Sequence, residues 1–141
     1  MLRVVLDANV LVSGLISKKG VPGRLLDGWR TGRFQIVISP PILAELARVF
    51  QYPRIRARVD EQEIRDLLKA LAALAEAVPG ALELDVLTTD PTDNVYLACA
   101  VEAGAAYLVT GNLKHYAEAG EKYRGVQILA PAAFLSHFEI I

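Results

Sequence analysis

The chain has 141 residues, 53% of them hydrophobic and 22% charged, with a mean hydropathy of +0.33 and a net charge of −1. At roughly 100–200 residues per domain this predicts one domain, 1–141, large enough to bury a core without staples. The single Cys99 excludes an internal disulfide and a cysteine-based zinc site, no run approaches the roughly 18 apolar residues of a membrane span, and the first residues do not read as a signal peptide, so a cytoplasmic protein without membrane contact is expected.

In chain order, Leu2–Leu6 is a short, β-branched apolar run, the pattern of a buried strand. After Asp7, the residues Val10, Leu11, Leu15 and Ile16 recur at helical spacing, and Pro22-Gly23 opens a helix over Arg24–Thr31 that Gly32 closes. Phe34–Ile38 reads as the second strand. Ser39 is an N-cap before Pro40-Pro41, and Ile42, Leu43, Leu46, Val49 and Phe50 form the apolar stripe of a helix ended by Pro53. Residues 60–78 predict a long amphipathic helix capped by Asp60 and stopped by Pro79-Gly80, followed by a strand over Ala81–Leu87. Asp90-Pro91 starts a helix that runs to Gly104, with Asp90 as its N-cap. A strand at Tyr107–Val109, a short helix at Lys114–Ala119, a strand at Val126–Leu129 and a helix at Ala132–Phe138 complete the alternation. Strands alternating with helices predict an α/β fold: a three-layer α/β/α sandwich around a mainly parallel sheet.

Open parallel sheets bind ligands beyond the carboxyl ends of their strands. Asp7 and Asn9 follow the first strand, Ser39 and Glu45 the second, and Thr110, Gly111 and Asn112 the one ending at Val109, with Asp90 and Asp93 in the first turn of a helix. Asp93 shares its helix face with Leu97, Ala100 and Val101, which turns it towards the packed side, whereas Glu45 falls about 100° from the centre of its stripe, at the boundary. Converging carboxylates repel unless a cation intervenes, and oxygen donors without His or Cys clusters suit Mg²⁺ or Mn²⁺. Such a centre fits metal-assisted attack of water on a phosphodiester. A phosphatase of the Asp-x-Asp type would need an acid where Asn9 stands. Residues 1–58 carry a net +7 and residues 59–141 a net −8. Arg48, Arg54, Arg56 and Arg58, with no acid among them, are the candidate polyanion contacts, joined by Lys114. His115 could touch a phosphate, His137 and the aromatic residues Trp29, Phe34 and Phe50 read as structural, and the high apolar content suggests a homodimer.

The segments Val-Val-Leu-Asp7-Ala-Asn9, Ser39-Pro-Pro-Ile-Leu-Ala-Glu45-Leu, Asp90-Pro-Thr-Asp93-Asn-Val-Tyr-Leu-Ala and Leu-Val-Thr110-Gly111-Asn112, in this order over nearly the whole chain, resemble the PIN-domain family. They are similar in particular to its bacterial and archaeal branch of toxins from toxin–antitoxin systems. The resemblance implies a Mg²⁺- or Mn²⁺-dependent endoribonuclease with Asp7, Glu45 and Asp93 as catalytic acids and metal ligands, supported by Asn9, Ser39, Asp90 and Thr110, with RNA as substrate and a small antitoxin protein as partner. A further family Asp aligns with Asn112, whose neutral oxygen holds a cation less tightly. Three acids suffice for one cation site, and a second would be weak. The alternative expectation is a PIN-like RNA-binding or complex-forming domain weakened in catalysis.

Overall fold

The structure is a computed structural model that describes residues 1–139. Its six strands are β1 (Arg3–Leu6), β2 (Gln35–Ile38), β3 (Glu76–Ala77), β4 (Tyr107–Val109), β5 (Lys122–Tyr123) and β6 (Val126–Leu129). They form one sheet in the order β3-β2-β1-β4-β6-β5, parallel throughout except for the antiparallel β5–β6 edge. Successive strand residues face opposite sides of a sheet. Val4, Val5 and Leu6 are nevertheless all buried, so β1 is covered on both faces.

The cover comes from α1 (Ala8–Ile16), α2 (Val21–Arg30), α3 (Pro40–Val49), α4 (Pro53–Arg56), α5 (Glu61–Leu74), α6 (Asn94–Ala103) and α7 (Pro131–Glu139). Helix α2 packs on α1 and α7, whereas α6 lies against β1, β2 and β4 and touches α3. Trp29, Phe34 and Phe50 are core residues, and Phe34 meets Phe134 edge-on at 5.3 Å. His137 Nε2 stands 3.2 Å from the Tyr107 hydroxyl, a structural contact.

Four expectations need correction. Helix α5 ends at Leu74, four residues before the expected stop, because Glu76–Ala77 leaves the helix to pair with Val37–Ile38. The Arg3 guanidinium holds the Glu76 carboxylate there. Ala81–Leu87 is no strand, although residues 81–86 alternate between exposed and half-buried before the buried Leu87. Gly80, at φ +75° and with Pro41 Cδ 2.6 Å from where a Cβ would stand, turns the chain off the sheet edge. The segment then runs as an extended strap whose amides bond to side chains: Gly80 and Leu82 N–H to the Glu102 carboxylate, Val86 and Leu87 N–H to Asn94 Oδ1. Third, the helix expected from Asp90 opens as a 3₁₀ turn over Pro91–Asp93, and the Asp90 side chain makes no capping bond. Its carboxylate lies 3.7 Å from His115 Nε2 instead. Lastly, Leu43 is exposed rather than part of the α3 stripe. The chain also adds two unexpected elements, the single turn α4 and the two-residue strand β5.

Candidate active site

Strand order reverses at β1, which has β2 on one side and β4 on the other. Chains leaving the carboxyl ends of adjacent strands in opposite directions open a crevice there. Asp7 is the first residue beyond β1 and Thr110 the first beyond β4; both are buried, and the Asp7 N–H donates to the Val109 carbonyl at 3.2 Å. Asp7 is also the N-cap of α1, its Oδ1 accepting from the Val10 N–H at 3.3 Å. Capping therefore fixes the carboxylate without removing it from the crevice. The Tyr116 hydroxyl donates to Oδ2 at 3.4 Å. Burial pushes the Asp7 carboxyl up to about 7; hydrogen bonds from Thr110, Val10 and Tyr116 oppose the rise, and the charge of Asp93 adds to it.

Two short bonds align the rim. Asn9 Oδ1 accepts from the Gly111 N–H at 2.9 Å, tying the loop after β4 to the start of α1. The Asn112 N–H donates to Thr110 Oγ1 at 3.0 Å, so the Thr110 hydroxyl proton is directed at Asp7.

Asp93 sits where the 3₁₀ turn passes into α6, half-buried, its Oδ2 2.8 Å from His115 Nδ1. Burial raises its carboxyl above the usual range, His115 holds the rise back, and the charges of Asp90 and Glu45 add to it. Glu45 projects from α3 with 15% of its side chain exposed and is clasped by Arg48, Nη2 to Oε1 at 2.5 Å and Nε to Oε2 at 3.1 Å. Arg48 reaches the Tyr52 hydroxyl as well and lies over that ring.

Asp7, Glu45 and Asp93 thus share one electrostatic neighbourhood, and His115 joins Asp93 to Asn112, whose amide nitrogen is 2.7 Å from Nε2. His115 consequently bonds to protein groups through both ring nitrogens. Ser39 caps α3 through the Ile42 N–H, with its hydroxyl near Cys99 rather than Asp7. Arg54, Arg56, Arg58 and Lys114 are exposed; Arg56 bonds to Gln51 at 3.1 Å and lies 4.0 Å from Glu61.

Two buried tyrosines were not anticipated. Tyr116 bonds to Asp7, and Tyr96 lies in the field of Asp7, Glu45 and Asp93 together. Tyr96 was legible in principle, three residues after Asp93 and so on the same helix face. Nothing in the spacing of Tyr116 pointed to Asp7.

Among the described residues, no three His, Cys, Asp or Glu side chains stand close enough to chelate a metal ion as they are arranged. The chemistry of the donor set nonetheless suits a hard divalent cation: carboxylate and amide oxygens, no thiolate, and an acid driven towards its protonated form by burial.

A family model for the PIN domain matches residues 3–114. An uncharacterized protein of Methanocaldococcus jannaschii is 30% identical over 112 residues, 79% of this chain and 71% of that protein. Among solved structures, a chain in the crystal structure of VapBC2 from Rickettsia felis bound to a DNA fragment from their promoter is similar in fold, with a TM-score of 0.60 and 17% identity over 92% of this chain and 98% of that one. The α/β architecture and the match across strands β1 to β4 agree: the chain belongs to the PIN-domain family.

Proposed function

We propose that the protein is an endoribonuclease that hydrolyses RNA phosphodiester bonds with Mg²⁺ or Mn²⁺. The observation that carries this reading is the buried Asp7 at the strand-order switch, in the field of Asp93 and with its carboxyl raised to about 7. A carboxylate so placed gains its charge most readily when a cation arrives. Asp7, Glu45 and Asp93 are the residues that would hold the ion, with Asn112 offering a neutral oxygen. When bound, such an ion polarises a phosphate oxygen and lowers the pKa of water. Asp7 supplies a fixed carboxylate, His115 orients Asp93, and Arg48, freed from Glu45, is the first cation available to the RNA backbone. Arg54, Arg56, Arg58 and Lys114 extend that contact. Asn9, Thr110 and Asp90 serve as supports, and Ser39 is left as a helix cap.

We further infer a toxin-type role with a small antitoxin protein as partner, a homodimeric state and a cytoplasmic location; the fold likeness to a chain of the VapBC2 complex supports the protein partner alone. The test is cleavage of a mixed RNA pool with Mg²⁺ or Mn²⁺, wild type against Asp7→Asn. Metal-dependent cleavage lost in the variant supports the reading, and equal cleavage by both proteins rejects it.

A second reading, a PIN-like RNA-binding or complex-forming domain weakened in catalysis, is favoured by Asn112 and by the separation of the acids. RNA binding with no divalent-ion uptake in a calorimetric titration selects it.

A further inference from the structure

The Tyr96 hydroxyl is the one buried side-chain polar atom without a hydrogen-bond partner among the described residues. Its residue is 1% exposed, packed within α6 one turn from Asp93. Orphaned buried hydroxyls cost about 1–3 kcal/mol and are rare in native proteins, so each calls for a reason. The environment of this one is specific. After burial itself, the groups that act on it most are the carboxylates of Asp7, Glu45 and Asp93, in that order. The Ala8 backbone N–H is near enough to favour the phenolic oxygen slightly but is not in hydrogen-bond geometry, and the O–H proton has no acceptor. Tyr116, the other buried tyrosine of the site, makes the contrast: its hydroxyl already donates to Asp7 Oδ2.

A buried donor one turn from Asp93, in the field of three carboxylates yet bonded to none, is satisfied by one intervening oxygen. A water-sized oxygen accepting from Tyr96 would still have two protons to offer to carboxylates, or a lone pair to offer to a cation. We propose that Tyr96 is a positioning residue whose hydroxyl donates to an oxygen held among Asp7, Glu45 and Asp93, namely a water on the divalent cation of the site. This rests on the metal-dependent reading above. It assigns to the helix that begins at Asp93 a second, neutral group that would orient the cation's hydration shell without adding negative charge to the site.

The experiment uses Tyr96→Phe, which removes one oxygen and preserves the ring. Mn²⁺ binding is followed by the electron paramagnetic resonance of the free ion, and melting is followed in chelator. The variant is expected to melt in chelator at or above the wild-type temperature, because an unpaired buried hydroxyl is gone, and to bind Mn²⁺ about three- to tenfold more weakly, the loss of one hydrogen bond. Equal Mn²⁺ affinity overturns the assignment alone and leaves the nuclease reading standing. A clear drop in melting temperature in chelator also overturns it, since the hydroxyl would then serve the apo fold. Wild-type protein that takes up no Mn²⁺ overturns the metal-dependent reading and this assignment with it.

Discussion

His115 Nδ1 stands 2.8 Å from Asp93 Oδ2 while Nε2 stands 2.7 Å from the Asn112 amide nitrogen. An amide N–H donating to Nε2 leaves the ring proton on Nδ1, directed at the carboxylate, an assignment that follows from the hydrogen-bond network. One imidazole therefore orients the acid and the amide that face each other across the crevice.

Replacing it should be felt at Asp93. The His115 bond is the largest influence holding the Asp93 carboxyl down against burial. In His115→Ala that restraint is lost, the carboxyl rises further, and protons compete more strongly with metal. Mn²⁺ affinity is expected to fall by about tenfold, in the range seen when outer partners of metal ligands are removed, and to fall more at pH 6 than at pH 8. Calorimetric titration at the two pH values checks both effects; a loss independent of pH argues that His115 acts elsewhere.

Asp7 makes apo stability depend on pH. Its folded pKa of about 7 lies above the ordinary 3.8, so the folded state holds this proton more tightly than the unfolded state. The contribution is fully present below pH ~4 and is lost as pH rises towards 7, beyond which it is level. Asp7→Asn keeps an N-cap and has no charge to bury. In chelator it should abolish that decline, on the order of 4 kcal/mol in all and roughly 2–3 kcal/mol between pH 5 and pH 8, and be the more stable protein at pH 8. Urea unfolding at pH 5 and pH 8 measures the difference, and parallel profiles for the two proteins contradict it.

Position 112 departs from the family pattern. Asn112→Asp adds a charged oxygen beside three acids, which should tighten divalent-ion binding and destabilise the ion-free protein. The expected signature is opposite shifts in melting temperature, down in chelator and up with Mn²⁺. Identical Mn²⁺ affinity would show that this side chain serves only its turn and His115.

Arg48 plays two roles that one substitution separates. As the partner of Glu45 it blocks that carboxylate, and as a surface cation it is available to phosphate. Arg48→Ala should raise Mn²⁺ affinity about twofold while lowering RNA affinity, with the slope of log affinity against log salt reduced by about 0.7 for single-stranded RNA. Both effects are read from titrations at several salt concentrations. An unchanged slope places Arg48 outside the RNA path.

Strand ends carried most of what could be read beforehand. Asp7 and Thr110 were legible because two short apolar parallel strands end at them and strand ends mark the ligand edge, and Asn9 follows Asp7 closely. Residues set by side-chain reach were not. The pairing of Arg48 with Glu45, one helical turn away, was not read from the spacing of the arginines. Asp90 had every local mark of a cap, yet the turn that follows is 3₁₀ and its carboxylate is drawn to His115. The strap over 81–87 deceived for a related reason: its period of two is real, but its hydrogen-bond partners are Glu102 and Asn94, more than one helical turn and up to 22 residues away, and no pattern of alternation names them.

That strap has a kinetic consequence. A ladder strand is released only when its neighbours are, whereas this segment is anchored on α6 by two side chains and, just beyond residue 87, on the 3₁₀ segment Leu113–Ala119 by Glu118, which accepts from the amides of Thr88 and Thr89. Between strap and helix lies a cavity of about 610 Å³ with Cys99 in its wall. Burial pushes the Cys99 thiol up to about 12, so in the closed state it is a poor nucleophile. Opening of the strap wets the thiol while the sheet stays intact. The rate at which Cys99 takes up an alkylating reagent is then expected to report this one motion and to exceed the rate of global unfolding.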